Sequence, residues 1–240
     1  MNHFDLIPCP GDHELAQAVA ARLLDELLAP PADLHRPILA LSGGRIAGKL
    51  FSALAGQSGR ARSALGQTRF FWADERCVTP DDPDSNFGVA QKLLFKPLNI
   101  PHEQVYRLRG ELPPAEAVAA AEAEARQWAP LNDQGTPVFD LILLGMGEDG
   151  HVASLFPGEP ETVMDSPAIY RAVVAAKPPP HRITLGYGVI AAARKVWVLA
   201  SGPGKEAALK ESLAGEGRTP LARVLCARKQ TLIFTDIKTS

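Results

Sequence analysis

Apolar residues in this chain fall into two patterns that alternate along its length: short dense runs and longer stretches with helical spacing. From Asp12 to Leu28, the positions Leu15, Val19, Leu23, Leu24, Leu27 and Leu28 repeat at helical intervals behind Asp12 as N-cap, and Pro30-Pro31 stops the helix. Pro37 to Leu41 reads as a buried strand ending in Ser42-Gly43-Gly44, with a helix over Ala47 to Leu54. Thr68 to Ala73 is a second such strand, broken by Asp74-Glu75-Arg76, and a proline- and aspartate-rich loop covers Thr79 to Pro83. Ser85 caps a helix reaching about Phe95. Val105 to Leu108 reads as a short strand, and alanine-rich Pro113 to Trp128 as a helix. Val138 to Leu144 is a strand running into Gly145-Met146-Gly147-Glu148-Asp149-Gly150-His151. Weaker strands at Ile169 to Ala175 and Arg182 to Leu185 flank Pro178-Pro179-Pro180. Val196 to Ala200 leads through Ser201-Gly202-Pro203-Gly204 into a helix near Lys205, and Thr231 to Thr235 is the last strand.

Strands alternating with helices imply an open, mostly parallel sheet with helices on both faces. Composition agrees: 240 residues, 46% hydrophobic and 22% charged, suit one α/β domain over residues 1–240. The formal charge of -2 argues against nucleic acid or an anionic membrane as the main partner, so any anion site must be local. Cys9, Cys77 and Cys226 are far apart and odd in number, which points to a reducing compartment, without a disulfide framework or metal spacing. Met1 to Gly11 lacks the pattern of a signal peptide, and no run approaches the ~18 apolar residues of a membrane span. A cytoplasmic protein, monomeric or weakly dimeric, is expected.

In a parallel sheet, ligands gather outside the carboxyl ends of the strands. Gly145, Gly147 and Gly150 spell G-x-G-x-x-G, but the dinucleotide fingerprint needs a full helix next and an acid at the tip of the following strand. Only Val152 to Phe156 has room to be helical before Pro157-Gly158, and the next strand ends in Ala175-Ala176-Lys177. A nicotinamide or flavin site is therefore not expected. What remains is Asp149-Gly150-His151, a histidine able to exchange a proton near neutral pH beside an acid. Asp149 and His151 as metal ligands lack a third partner nearby, and Ser154 lies outside a nucleophile elbow. Ser42-Gly43-Gly44-Arg45 opens a helix whose free N–H groups suit a phosphate. Arg76, Arg182 and Lys205 are ordinary surface charges when taken singly. Together with the serine-glycine loop they supply the fixed donors and positive charges that a sugar phosphate needs.

These residues resemble one family. Ser42-Gly43-Gly44, Asp74-Glu75-Arg76, Asp84-Ser85-Asn86, the block from Leu144 to Gly158, Arg182-Ile183-Thr184 and Gly202-Pro203-Gly204-Lys205 are similar to the 6-phosphogluconolactonases. The resemblance spans residues 38 to 210 in order. It implies a Rossmann-like sheet without a dinucleotide site, shared with glucosamine-6-phosphate deaminase. The deaminase branch is the alternative, a sugar-phosphate isomerase or deaminase. Its segment after the histidine is expected to carry a glutamate, whereas this chain has Ala153-Ser154-Leu155-Phe156-Pro157-Gly158. Arg76 likewise stands where that branch carries tyrosine, and Arg45 where many lactonases have Ser or Thr.

The resemblance implies hydrolysis of a 6-phosphogluconolactone with no cofactor and no metal. His151 would be the general base, oriented by Asp149 or by adjacent backbone, with Arg76 or glycine-rich backbone as oxyanion donor. Ser42, Gly43, Gly44, Arg45, Arg182 and Lys205 would hold the phosphate. Asp74, Asn86 and Gly147 complete the expected substrate contacts.

Overall fold

The computed structural model describes residues 4–29, 35–214 and 218–238. Its first half runs β1 (Phe4–Pro8), α1 (Asp12–Leu28), β2 (Ile38–Leu41), α2 (Arg45–Gly56), α3 (Ser58–Leu65), β3 (Arg69–Trp72) and β4 (Asp74–Arg76). Next come α4 (Asn86–Ala90), a π-helical turn (Gln91–Phe95), α5 (Lys96–Leu98), α6 (Pro114–Trp128) and β5 (Leu141–Gly145). The chain ends with α7 (Glu161–Met164), β6 (Tyr170–Val174), β7 (His181–Leu185), α8 (Tyr187–Ala192), β8 (Lys195–Ala200), α9 (Glu206–Leu213), α10 (Pro220–Cys226) and β9 (Thr231–Thr235).

A six-stranded parallel sheet has the order β1-β9-β8-β5-β2-β3. The central strands are apolar along their length because helices cover both faces, and Ile38 to Leu41 and Leu141 to Leu144 are all buried. On the flanks α1 packs against α2 and α3, and α10 against α8 and α9. The strand order reverses at β2, which pairs with β3 on one side and with β5 on the other, so a crevice opens at their carboxyl ends.

A second, three-stranded antiparallel sheet in the order β4-β7-β6 stands beside that crevice. The expected open, mostly parallel sheet is present, and this second sheet adds to it. The strands read at Ile169 to Ala175 and Arg182 to Leu185 form a hairpin, and Asp74-Glu75-Arg76, read as the break after a strand, is itself a strand of it. The reason is long-range: β4 has hydrogen-bond partners only because β7 lies across from it. Val105 to Leu108 is not a strand either, since Val105 makes a lone bridge to Phe70. Val152 to Phe156 forms a tight turn, with bridges from Val152 to Met146 and Leu155 and a left-handed Ala153 (φ 50°), instead of helix. The helix stop at Pro30-Pro31 lies outside the described residues. No described helix is long and apolar enough to cross a membrane.

Candidate active site

The turns after β2, β4, β5 and β8 converge on one cleft of about 320 Å³. Its wall includes Ser42, Gly43, Gly44, Arg45, Asp74, Arg76, Asn86, His151, Arg182 and Lys205. Ten candidates scattered from residue 42 to 205 thus come together. Asp149 and Gly147 are not among the lining residues and instead contact His151.

His151 follows β5 on a turn closed by the Gly147 N–H donating to its carbonyl at 2.9 Å. Asp149 Oδ1 accepts from the His151 backbone N–H at 3.1 Å and lies 2.5 Å from ring Nδ1. An ionised carboxylate can only accept, so Nδ1 carries the hydrogen and the neutral ring holds its lone pair on Nε2. Burial works against the Asp149 charge, but the neighbouring His151 charge and hydrogen bonds outweigh it and hold the carboxyl below its ordinary range. Gly147 has a steric role behind this pair. A Cβ there would sit 2.1 Å from ring Nδ1 and Cε1, so only glycine leaves space for the imidazole. Phe156 packs against the imidazole, with ring centroids 5.0 Å apart.

Positive charge gathers on the rest of the wall. Arg76 and Arg182 are directly paired across β4 and β7, an arrangement of like charges that costs stability unless an anion lies between them. Burial and then the Arg76 charge lower the pKa of Arg182. Its Nε donates to the Pro179 carbonyl at 3.1 Å, which ties the proline loop to the cleft. Arg76 Nη1 donates to the Asp84 carbonyl at 2.7 Å, while its buried Nε has no acceptor among the described residues. Burial, followed by the Arg45 charge, lowers the pKa of Lys205 as well, which puts these two cations close together. Gly44 caps α2 at φ 94°, a left-handed conformation suited to glycine, and the first residues of α2, Arg45 and Ile46, line the cleft.

The Ser42-Gly43 loop is fixed from two sides. Ser42 Oγ donates to the Leu143 carbonyl at 2.8 Å, tying β2 to β5. A Cβ on Gly43 would fall 1.7 Å from Asn86 Oδ1, so this glycine lets Asn86 press against the loop. Asn86 Nδ2 donates to the Asp74 carbonyl at 2.9 Å. Fully buried Ser154 donates from Oγ to Asp74 Oδ2 at 2.8 Å, and its own N–H donates to Thr184 Oγ1 at 3.1 Å. Sequence reading passed over Lys49, which also lines the cleft and pairs with Asp12 at 2.5 Å. Its place four residues after Arg45, on the same helix face, was the available signal. Glu75 and Ser154 lie inside the blocks that carry the family resemblance, but their contacts were not readable locally, because their partners come from distant elements.

The fold and this cleft together define a class. Residues 10–233 match the family of glucosamine-6-phosphate isomerases and 6-phosphogluconolactonases, and the chain belongs to that family. Among its relatives are curated 6-phosphogluconolactonases. That of Streptomyces coelicolor is 37% identical over 213 residues, covering 86% of this chain and 82% of the relative. The human one is 37% identical over 217 residues, covering 88% and 80%. The solved 6-phosphogluconolactonase of Trypanosoma brucei superposes with a TM-score of 0.85 at 26% identity, covering 98% and 97%. A monomeric glucosamine-6-phosphate deaminase has a TM-score of 0.79 at 19% identity, a likeness of fold alone.

Proposed function

We propose that the cleft hydrolyses 6-phospho-D-glucono-1,5-lactone to 6-phospho-D-gluconate. The observation that carries this reading is a histidine with Nδ1 held by Asp149, set in the same cleft as Arg45, Arg76, Arg182 and Lys205. A sugar phosphate with an electrophilic carbon needs both parts, an anion site at one end and a base at the other. The relatives named as 6-phosphogluconolactonases support the lactonase branch over the isomerase branch.

A lactone is an internal ester, so its hydrolysis adds water oxygen to C1 and breaks the bond from C1 to the ring oxygen. His151 Nε2 takes the proton from the attacking water and returns it to the departing ring oxygen, which leaves a carboxylic acid that ionises in water. Proton transfer of this kind contributes about 10²–10⁴-fold. Arg76, whose Nε lacks an acceptor among the described residues, faces the oxyanion, a contact worth about 10²–10³-fold for one donor. Ser42, Gly43, Gly44, Arg45, Arg182 and Lys205 hold the phosphate, while Asp74 and Asn86 meet the sugar hydroxyls between the two ends. Phosphate binding far from C1 is then used to orient the reacting carbon.

His151→Ala tests the assignment. Enzyme-dependent hydrolysis should fall to the spontaneous rate while 6-phosphogluconate still binds. Activity near that of the wild type would remove His151 from the mechanism.

A further inference from the structure

Strand β4 holds a buried ionisable group that the proposed chemistry leaves unused. Asp74 and Arg76 line the cleft, and Glu75, between them, projects from the opposite face of the strand. Glu75 is only 2% exposed. A buried carboxylate is costly unless its oxygens are satisfied, and here both are. Oε1 accepts from the backbone N–H groups of Arg76 at 2.7 Å and Asn86 at 2.8 Å. Oε2 accepts from the Phe87 N–H at 2.8 Å and from Ser85 Oγ at 3.2 Å. Four donors from two segments therefore meet on one side chain.

Those segments carry two cleft residues, Arg76 and Asn86. Arg76 is the chain neighbour of Glu75, and Asn86 sits on the turn that Glu75 grips, pressed against Gly43 and bonded to the Asp74 carbonyl. We infer that Glu75 is a positioning residue, its carboxylate clamping the start of α4 to β4 so that Arg76 and Asn86 hold a fixed separation across the substrate. Ordinary capping of α4 does not need it, because Ser85 Oγ already accepts from the Gly88 N–H at 3.0 Å. The function of the clamp rests on the lactonase reading, since activity is its main readout.

A mutant cycle distinguishes positioning from simple stabilisation. Glu75→Gln preserves shape but turns two N–H donors toward a nest of donors, while Glu75→Asp keeps the charge and falls one methylene short. Assayed at about pH 8, where Glu75 is ionised, Glu75→Gln should lower kcat/KM for the lactone by about 10- to 100-fold, the scale of a small misplacement of binding groups. In an Arg76→Ala or an Asn86→Ala background the same change should cost several-fold less, because the group it positions is gone. An undiminished loss in both backgrounds, or no loss in the wild type, overturns the inference. Glu75→Asp follows the same logic with a smaller loss and serves if the glutamine variant does not fold. A wild-type protein inactive on the lactone refutes the lactonase reading instead. The cycle is then read on 6-phosphogluconate binding by calorimetry, where equal losses in all backgrounds again overturn the clamp.

Discussion

Gly147→Ala offers a clean test of how the imidazole is housed. Gly147 is absent from the positive-φ residues, so alanine fits its backbone without strain. The added Cβ would lie 2.1 Å from His151 Nδ1 and Cε1 and 2.8 Å from Nε2, against 3.4 Å or more for ordinary van der Waals contact. The ring must retreat by roughly 1 Å, a misplacement that costs about 10²-fold in rate when a reacting group is involved. Retreat pulls Nδ1 from Asp149, now 2.5 Å away, or drives the ring toward Phe156. The fold should tolerate this, because the His151 side chain is 29% exposed and can swing outward. Replacing glycine where the backbone permits it stabilises by about 0.4–1 kcal/mol through the unfolded chain, which offsets part of the local strain. The assay follows hydrolysis of freshly generated lactone above the spontaneous rate, alongside a thermal melt. Loss of kcat with little change in melting temperature is the expected result. A kcat/KM within about threefold of wild type would show that His151 need not stay where this turn puts it.

Two further outcomes follow from the carboxylates. Asp149→Asn should lower kcat by about 10²–10⁴-fold with the fold intact, because an amide turned toward Nδ1 can select the tautomer protonated on Nε2; full activity would mean that backbone alone orients the ring. Burial pushes the Glu75 carboxyl up to about 7, with Asp74 adding to the rise, against the pull of the Phe87, Asn86 and Arg76 N–H groups. Arg107 and Cys77 also feel its charge. The folded protein therefore keeps a proton that the unfolded glutamate releases near pH ~4.3. Ionisation costs nothing below that pH, and the cost grows until pH passes about 7, so stability falls over that interval. Urea unfolding at about pH 5.5 and about pH 8 should show the decline, and Glu75→Gln should flatten it; an unchanged slope in the variant assigns the titration elsewhere.

Much of the fold was legible because its strands are buried on both faces. Ile38 to Leu41, Leu141 to Leu144 and Val196 to Ala200 are apolar without interruption, and each ends in glycine or serine. Local capping was readable at α4, which Ser85 does cap, but not at α1, where Gly11 is the cap and Asp12, read as the N-cap, is the first helical residue. The omissions have local causes too. β1 is a short edge strand with only partial burial, and α3 has few apolar positions. At α10, by contrast, a signal was present, since Thr219 caps it with Pro220 in the first turn.

By itself, the sequence determined which residues carry chemistry near one another in the chain. Asp149 and His151 are two positions apart, and their contact follows from the turn that joins them. Ser42-Gly43-Gly44 likewise opens α2 by local rules. Only the tertiary structure decided that these turns share a cleft, because the strand order places the distant β5 on one side of β2, opposite its sequence neighbour β3. It alone set Arg76 opposite Arg182, through pairing between strands that read as a charged break and a weak apolar run. It alone buried Glu75, whose charge looks solvated until donors from Ser85, Asn86 and Phe87 arrive. Periodicity records what each residue does for its own element. Pairing between distant elements depends on strand order and register, and neither is written in any single stretch of chain.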